Sequence, residues 1–221
     1  MDELKQLWHT VFGDDFELID RFFDTFYSPA LCATKFVDGK LCAAAYVMPV
    51  GELVYDGKRE KCAHIYAVAV YPEYRGRGYG IEVTKKAAEL AGKAGYTAVL
   101  HPADEGLFGF YEKHCGFVTA FYASDIPDLP NDAEKISAAQ YADLRETLLQ
   151  DRDHIALVAR ALDYFVSTGG ELYACENACF AVDSGKICEY ISRDTIGEFK
   201  PFGMIIEEKS IKNGYFGIAF E

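Results

Sequence analysis

Apolar residues recur at helical spacing twice near the start of the chain: Leu4, Leu7, Trp8, Val11 and Phe12, then Ile19, Phe22, Phe23, Phe26 and Tyr27. Each set falls on one face of a 3.6-residue helix, so two amphipathic helices are expected, the second stopped by Pro29. Beyond it, β-rich segments break at Asp38-Gly39 and Asp56-Gly57, dipeptides suited to tight hairpin turns because glycine tolerates positive φ. Residues 31–37, 40–48 and 52–55 therefore read as an antiparallel meander. His64 to Val70 is a further strand, ending at Pro72.

From Gly78 the helical period returns. Ile81, Thr84, Ala87, Ala88 and Ala91 share a face, and Gly95 lies just past the end. Thr97 to Leu100 reads as a short strand. A helix follows with Leu107, Phe108, Tyr111, His114 and Cys115 on one side, then a strand from Phe117 to Tyr122. That order after a meander predicts a mixed α/β sheet.

Ser124 to Glu134, with Pro127 and Pro130, reads as a linker. Helices are expected over about Ala139–Gln150 and about Arg152–Ser167, the second with Ile155, Val158, Leu162 and Phe165 aligned. Strands flank the turn Asp183-Ser184-Gly185. The division expected is a domain over 1–125 and a smaller α+β domain over 134–221. Phe36-Val37-Asp38-Gly39-Lys40-Leu41-Cys42 and Ala181-Val182-Asp183-Ser184-Gly185-Lys186-Ile187-Cys188 form the same kind of hairpin, each after two helices. They suggest an internal repeat with a truncated second copy, although hairpins of this composition are common.

The seven cysteines are an odd number, scattered among apolar neighbours, as free thiols are in a reducing compartment. Cys175 and Cys179 have no second Cys or His pair at ligand spacing, so no metal site is expected. No apolar run approaches the ~20 residues of a membrane span, and the acidic start is unlike a secretion signal. These features point to the cytoplasm. The formal net charge of −13 argues against nucleic acid as a partner and is compatible with a cationic one.

The chemistry concentrates at Arg75-Gly76-Arg77-Gly78-Tyr79-Gly80, between a strand and a helix. Three glycines in five residues let backbone N–H groups converge, and the helix start adds free donors and the positive end of its dipole. Such a loop holds a pyrophosphate, with Arg75 and Arg77 adding charge. A nucleotide-triphosphate loop requires Gly-Lys-Ser/Thr at its end, whereas Ile81-Glu82 follows here. The glycine spacing and the preceding meander also argue against a dinucleotide fold.

The segment resembles the signature of the GNAT superfamily of acetyl-CoA-dependent N-acyltransferases, Gln/Arg-x-x-Gly-x-Gly/Ala. Val68-Ala69-Val70-Tyr71-Pro72 before it and Phe110-Tyr111-Glu112-Lys113-His114-Cys115-Gly116-Phe117 after it also match, and the likeness spans roughly residues 1 to 122. One departure is Glu105, where many members carry an asparagine that contacts the cofactor. The tail is loosely similar to the degenerate second half of some two-part members, including the enhanced-survival type.

The resemblance implies a central mixed, mostly antiparallel sheet flanked by helices, with acetyl-CoA as co-substrate. It implies an acetyltransferase that joins an acetyl group to a primary amine of a small molecule or peptide, by direct attack on the thioester. A homodimer is allowed. A non-catalytic acyl-CoA-binding protein is the alternative. Val68 and Val70 would pair with the pantetheine arm through their backbone, and Arg75, Gly76, Arg77, Gly78, Tyr79 and Gly80 would hold the pyrophosphate. Tyr111 would be the general acid. For the general base, His64 and Glu52 are candidates, with His101 and the terminal Glu221 behind them. His9, His114 and His154 read as packing or surface residues.

Overall fold

The computed structural model describes residues 1–124, 126, 132–193, 199–207 and 209–218. Most of the expected linker, the segment 194–198 and Glu221 lie outside the described residues.

The chain opens with α1 (Asp2–Phe12) and α2 (Phe16–Thr25). Gly13 ends α1, and the Asp15 side chain caps α2 by accepting the Leu18 N–H at 2.8 Å. β1 (Cys32–Val37), β2 (Lys40–Tyr55) and β3 (Lys58–Val70) follow, then α3 (Tyr79–Lys93), β4 (Thr97–Leu100), α4 (Glu105–Cys115) and β5 (Phe117–Ala123). The second half contains β6 (Glu134–Lys135), α5 (Ala138–Leu149), β7 (His154–Leu157), α6 (Ala159–Ser167), β8 (Glu171–Cys175), β9 (Ala178–Asp183), β10 (Lys186–Ser192) and β11 (Lys200–Ile206). The larger sheet has the order β1-β2-β3-β4-β11-β5, with β7 pairing on β2, and the smaller one the order β10-β9-β8-β6. The fold is mixed α/β, with a mostly antiparallel sheet flanked by helices, as the sequence predicts.

Two compact units divide the chain. The first takes in Met1–Pro49, Lys61–Val118 and Ile205–Glu207. Its core is aromatic. Trp8 lies 4.9 Å from Phe22 and 5.3 Å from Tyr46, ring centre to ring centre, and all three are buried. Each such side chain contributes about 2–3 kcal/mol by leaving water. α2 thus buries the face its spacing marks, whereas in α1 only Leu4, Leu7 and Trp8 are buried and Phe12, at 47% exposure, stands out to solvent.

The second unit comprises the described residues of Val50–Glu60, Thr119–Met204 and Glu208–Glu221. Here the helix expected over Arg152–Ser167 is corrected. Residues His154–Leu157 are strand β7, antiparallel to Gly51–Val54, and only Ala159–Ser167 is helical. The four β7 residues are all buried. Pairing with a partner distant in sequence overrides the local helical spacing of Ile155 and Val158. The same pairing explains why β2 continues where the sequence reading broke it, between 48 and 52.

The two similar hairpins share more than composition. Their turn residues have nearly the same dihedrals, φ 50° and 77° at Asp38 and Gly39 against 49° and 76° at Ser184 and Gly185. Both are two-residue type I′ loops. In each, the returning strand carries one extra residue three places after the turn glycine. Leu41 pairs with Phe36 and Ala43 with Lys35, so Cys42 is bulged; Ile187 pairs with Val182 and Glu189 with Ala181, so Cys188 is bulged.

Candidate functional site

β3 carries the chain from the sheet into the glycine loop. A single 3₁₀ turn, Pro72–Tyr74, intervenes, and Arg75 donates from Nε to the Val70 carbonyl at 3.3 Å. Arg77 donates to the Glu73 carbonyl at 3.2 Å and lies over the Tyr74 ring. Gly76 and Gly78 have φ of 75° and 81°, the left-handed region, and a Cβ at either would meet nothing within 4 Å. Glycine is required there by backbone conformation, beside open space. Gly80 is different: its added Cβ would only touch Val70 Cγ2 at 3.6 Å.

α3 begins at Tyr79 with no side chain capping it. Glu82 is the residue whose N–H first reaches back, to Gly78 O at 3.1 Å. The N–H groups of Tyr79, Gly80 and Ile81 therefore precede the helical ladder, as at every helix start. Together with two exposed guanidinium groups, they fit a pyrophosphate. Lys35 of β1 ties the first turn down, through a 2.5 Å ion pair with Glu82 and its ammonium 5.0 Å above the Tyr79 ring.

β3 and β4 are parallel, but their register covers only Cys62–His64 against Thr97–Val99. β4 ends at Leu100, while β3 runs six residues beyond His64 to Val70. Within that stretch Ala67 has φ 47°, a left-handed conformation rare for a residue with a side chain. It interrupts the strand's alternation immediately before Val68. Val68 and Val70 are half-buried on either side of the buried Ala69.

His64 is buried, and its Nε2 accepts the His101 main-chain N–H at 3.2 Å. Burial, and to a lesser degree His101, hold its pKa down at about 3, so the ring is neutral. With Nε2 accepting, Nδ1 carries the proton, and neither nitrogen has a free lone pair for a substrate. Glu52 belongs to the second unit, where it pairs with Arg59 at 2.7 Å; Arg59 also contacts Glu146 at 3.1 Å.

Tyr111 is half-buried in α4, between Phe110 and Phe117. Burial first, then Cys115 and Asp104, push its phenol up to about 12. It keeps its proton at neutral pH. Glu105 is the first residue of α4, directly after the capping Asp104, which suits the positive helix end. Among the other histidines, His9 donates from Nδ1 to the Asp14 carbonyl, His114 packs on Phe110 and His154 is buried against Glu146. The glycine loop, Val68, Val70, His64 and Tyr111 thus all belong to the first unit. Among the described residues, no group of three or more His, Cys, Asp or Glu could hold a metal ion. No described helix is long and apolar enough to cross a membrane.

The family model described as Acetyltransferase (GNAT) family matches residues 1–117. The chain belongs to that family. Among solved structures, a Pyrococcus horikoshii protein assigned as an acetyltransferase is similar at a TM-score of 0.65 and 15% identity, over 98% of this chain and 90% of that one. The GCN5-related N-acetyltransferase from Kribbella flavida is similar at 0.62 and 17% identity, over 87% of this chain and 55% of that one. Eis1 from Mycobacterium abscessus is similar at 0.54 and 12%, over 87% and 57%. This GNAT chain therefore spans little more than half the length of two of those three. Identities this low show the shared fold alone. Among curated protein sequences, none matches.

Sequence reasoning missed Ala67, because nothing in an alanine announces positive φ. It also missed the support of the loop by Lys35, which lies on a strand brought to Glu82 and Tyr79 only in the folded chain.

Proposed function

We propose that this GNAT protein transfers an acetyl group from acetyl-CoA to a primary amine of a small molecule or peptide, the amine attacking the thioester directly. One observation carries the reading: an uncapped helix start and a glycine loop in the left-handed region follow, after a single 3₁₀ turn, on a strand distorted at Ala67. Bound acetyl-CoA supplies an activated thioester carbonyl. The main chain of Val68 and Val70 binds the pantetheine arm, and one of these N–H groups polarises the carbonyl oxygen. Arg75, Gly76, Arg77, Gly78, Tyr79 and Gly80 hold the pyrophosphate, mainly through backbone N–H groups.

Tyr111 holds a proton at Oη for the departing sulfur. Its raised pKa is no obstacle, because burial raises thiols too; it lifts Cys32, in the same unit, to about 12. The engaged lone pair of His64 and the ion-paired state of Glu52 favour proton removal through water instead of either side chain.

Glu105 in place of the cofactor-contacting asparagine, and the engagement of both His64 and Glu52 with other groups, favour a second reading: acyl-CoA binding without turnover. Thermal unfolding with acetyl-CoA, followed by thiol release across an amine panel, separates the two. Saturation at a hundred times Kd stabilises the native state by about 2.7 kcal/mol. No stabilisation defeats both readings. Stabilisation without thiol release leaves only the second.

A further inference from the structure

A cavity of about 450 Å³ opens in the first unit, away from the glycine loop. One wall is a face of α3, where Lys85, Ala88, Glu89 and Gly92 follow at helical spacing. The start of β4, the buried Cys115 at the end of α4, and Ile206 and Glu207 at the end of β11 complete it. β4 runs parallel to β3 and starts opposite Cys62, so the cavity lies at the edge of the sheet remote from Val70 and the loop. Along α3 about 20 Å separates Tyr79 from Gly92.

Gly92 has a helical backbone, where glycine is disfavoured against alanine, and an added Cβ would meet nothing within 4 Å. Neither conformation nor crowding by the chain calls for glycine there. A side chain at this position would take up space in the cavity itself. Two opposite charges border that space. Glu89 pairs with Lys86 at 3.4 Å, which leaves Lys85 without an ion pair among the described residues, and Glu207 has none among them either. Much of the remaining lining is apolar, from Ala88, Cys115, Ile206 and the Tyr96 ring.

We propose that this cavity binds a small zwitterion, a free amino acid with an apolar side chain. Lys85 takes the carboxylate, Glu207 the ammonium group, and the apolar lining the side chain. A fatty acid would leave Glu207 unanswered, and a simple amine would leave Lys85 so. The volume falls within the ~300–1,000 Å³ of small-ligand sites. Both charged groups are exposed, so each contributes modestly and the affinity is millimolar. The site is separate from the glycine loop and does not rest on the acyl-CoA reading.

Amide NMR spectra of the isotope-labelled protein, titrated with leucine, isocaproate and isoamylamine, locate and rank the binding. Leucine at tens of millimolar should shift the amides of residues 88–92, Thr97 and Cys115, and leave those of residues 76–80 in place. Each analogue keeps one charge and should bind roughly fivefold more weakly. Lys85→Met should weaken leucine by that factor and leave isoamylamine unchanged. Glu207→Gln should weaken leucine and isoamylamine and leave isocaproate unchanged. Both positions are exposed, which keeps these substitutions compatible with folding. Gly92→Leu, which fills the space from a helical position, should abolish binding with no fall in melting temperature. Shifts that are absent or confined to the glycine loop overturn the proposal, as do losses that ignore which charge was removed.

Discussion

The Nε2 atom of His64, on β3, accepts the main-chain N–H of His101, the residue just past β4, at 3.2 Å. The bond falls where the parallel pairing of these strands ends, His64 being opposite Val99. It acts as a clasp at the point where β3 continues alone. A clasp of this kind requires a neutral ring.

Its consequence is a defined pH dependence. The folded pKa of His64 is depressed to about 3, while an unfolded histidine titrates near ~6.5. Below that value the unfolded chain takes up a proton that the folded protein refuses, so this group's stability is complete above ~6.5 and declines as pH falls toward 3. Between pH 6.5 and 5 the loss is on the order of 2 kcal/mol, at about 1.4 kcal/mol per unit. Urea unfolding of the wild type and of His64→Gln at both pH values measures it. Gln retains a carbonyl to accept the bond, so the variant should lose less on acidification. Equal losses contradict the clasp.

The glycine loop gives a sharper contrast, because three similar residues should respond differently. Gly76→Ala and Gly78→Ala force a side chain into the left-handed region, a strain of roughly 1–2 kcal/mol, and should weaken acetyl-CoA binding about tenfold. Gly80→Ala adds a methyl at ordinary contact distance from Val70, and should bind nearly as the wild type does. Calorimetric titration of the three variants decides it; equal effects would mean that backbone conformation is not what the glycines supply.

For Tyr111, substitution by Phe removes the proton and keeps the ring packed between Phe110 and Phe117. Loss of a general acid lowers kcat by roughly 100-fold, with the KM for acetyl-CoA little changed. Full turnover at saturating acetyl-CoA would leave Tyr111 a packing residue.

Much of this was legible in the sequence, for local reasons. Asp38-Gly39 and Asp183-Ser184-Gly185 announce turns because their side chains decide their own dihedrals. The glycine loop is readable in the same way, since Gly76 and Gly78 are needed where they stand. The illegible parts depend on distant partners. Residues 154–157 carry a helical spacing and become strand because Gly51–Val54 pairs with them. Glu52 reads as a free carboxylate until Arg59 is found beside it. His64 reads as a base until the His101 amide occupies its lone pair.

The last prediction concerns a cluster in the second unit that no local pattern marks. Arg145 is 1% exposed and Glu189 likewise, and they face each other at 3.3 Å. The guanidinium also donates to the Ile155 and Phe216 carbonyls, and the Tyr141 hydroxyl donates to Glu189 at 2.7 Å. Burial first, then the Glu189 charge, pushes the Tyr141 phenol far above its usual range, so it remains a donor. Taking two charges out of water is costly, and only this full set of partners offsets it. Removing one charge strands the other. Arg145→Met should therefore destabilise the protein by about 3–5 kcal/mol, whereas Arg145→Met combined with Glu189→Met should recover much of that loss. The cluster also fixes the chain near Phe216, since a Cβ at Gly217 would lie 1.6 Å from a Glu189 carboxylate oxygen. Gly217→Ala should be severely destabilising for that reason, and should remain so even where Glu189→Gln retains the shape. Denaturant unfolding of the single and double variants checks all of this. If Arg145→Met costs less than about 1 kcal/mol, the pair contributes no more than a surface ion pair.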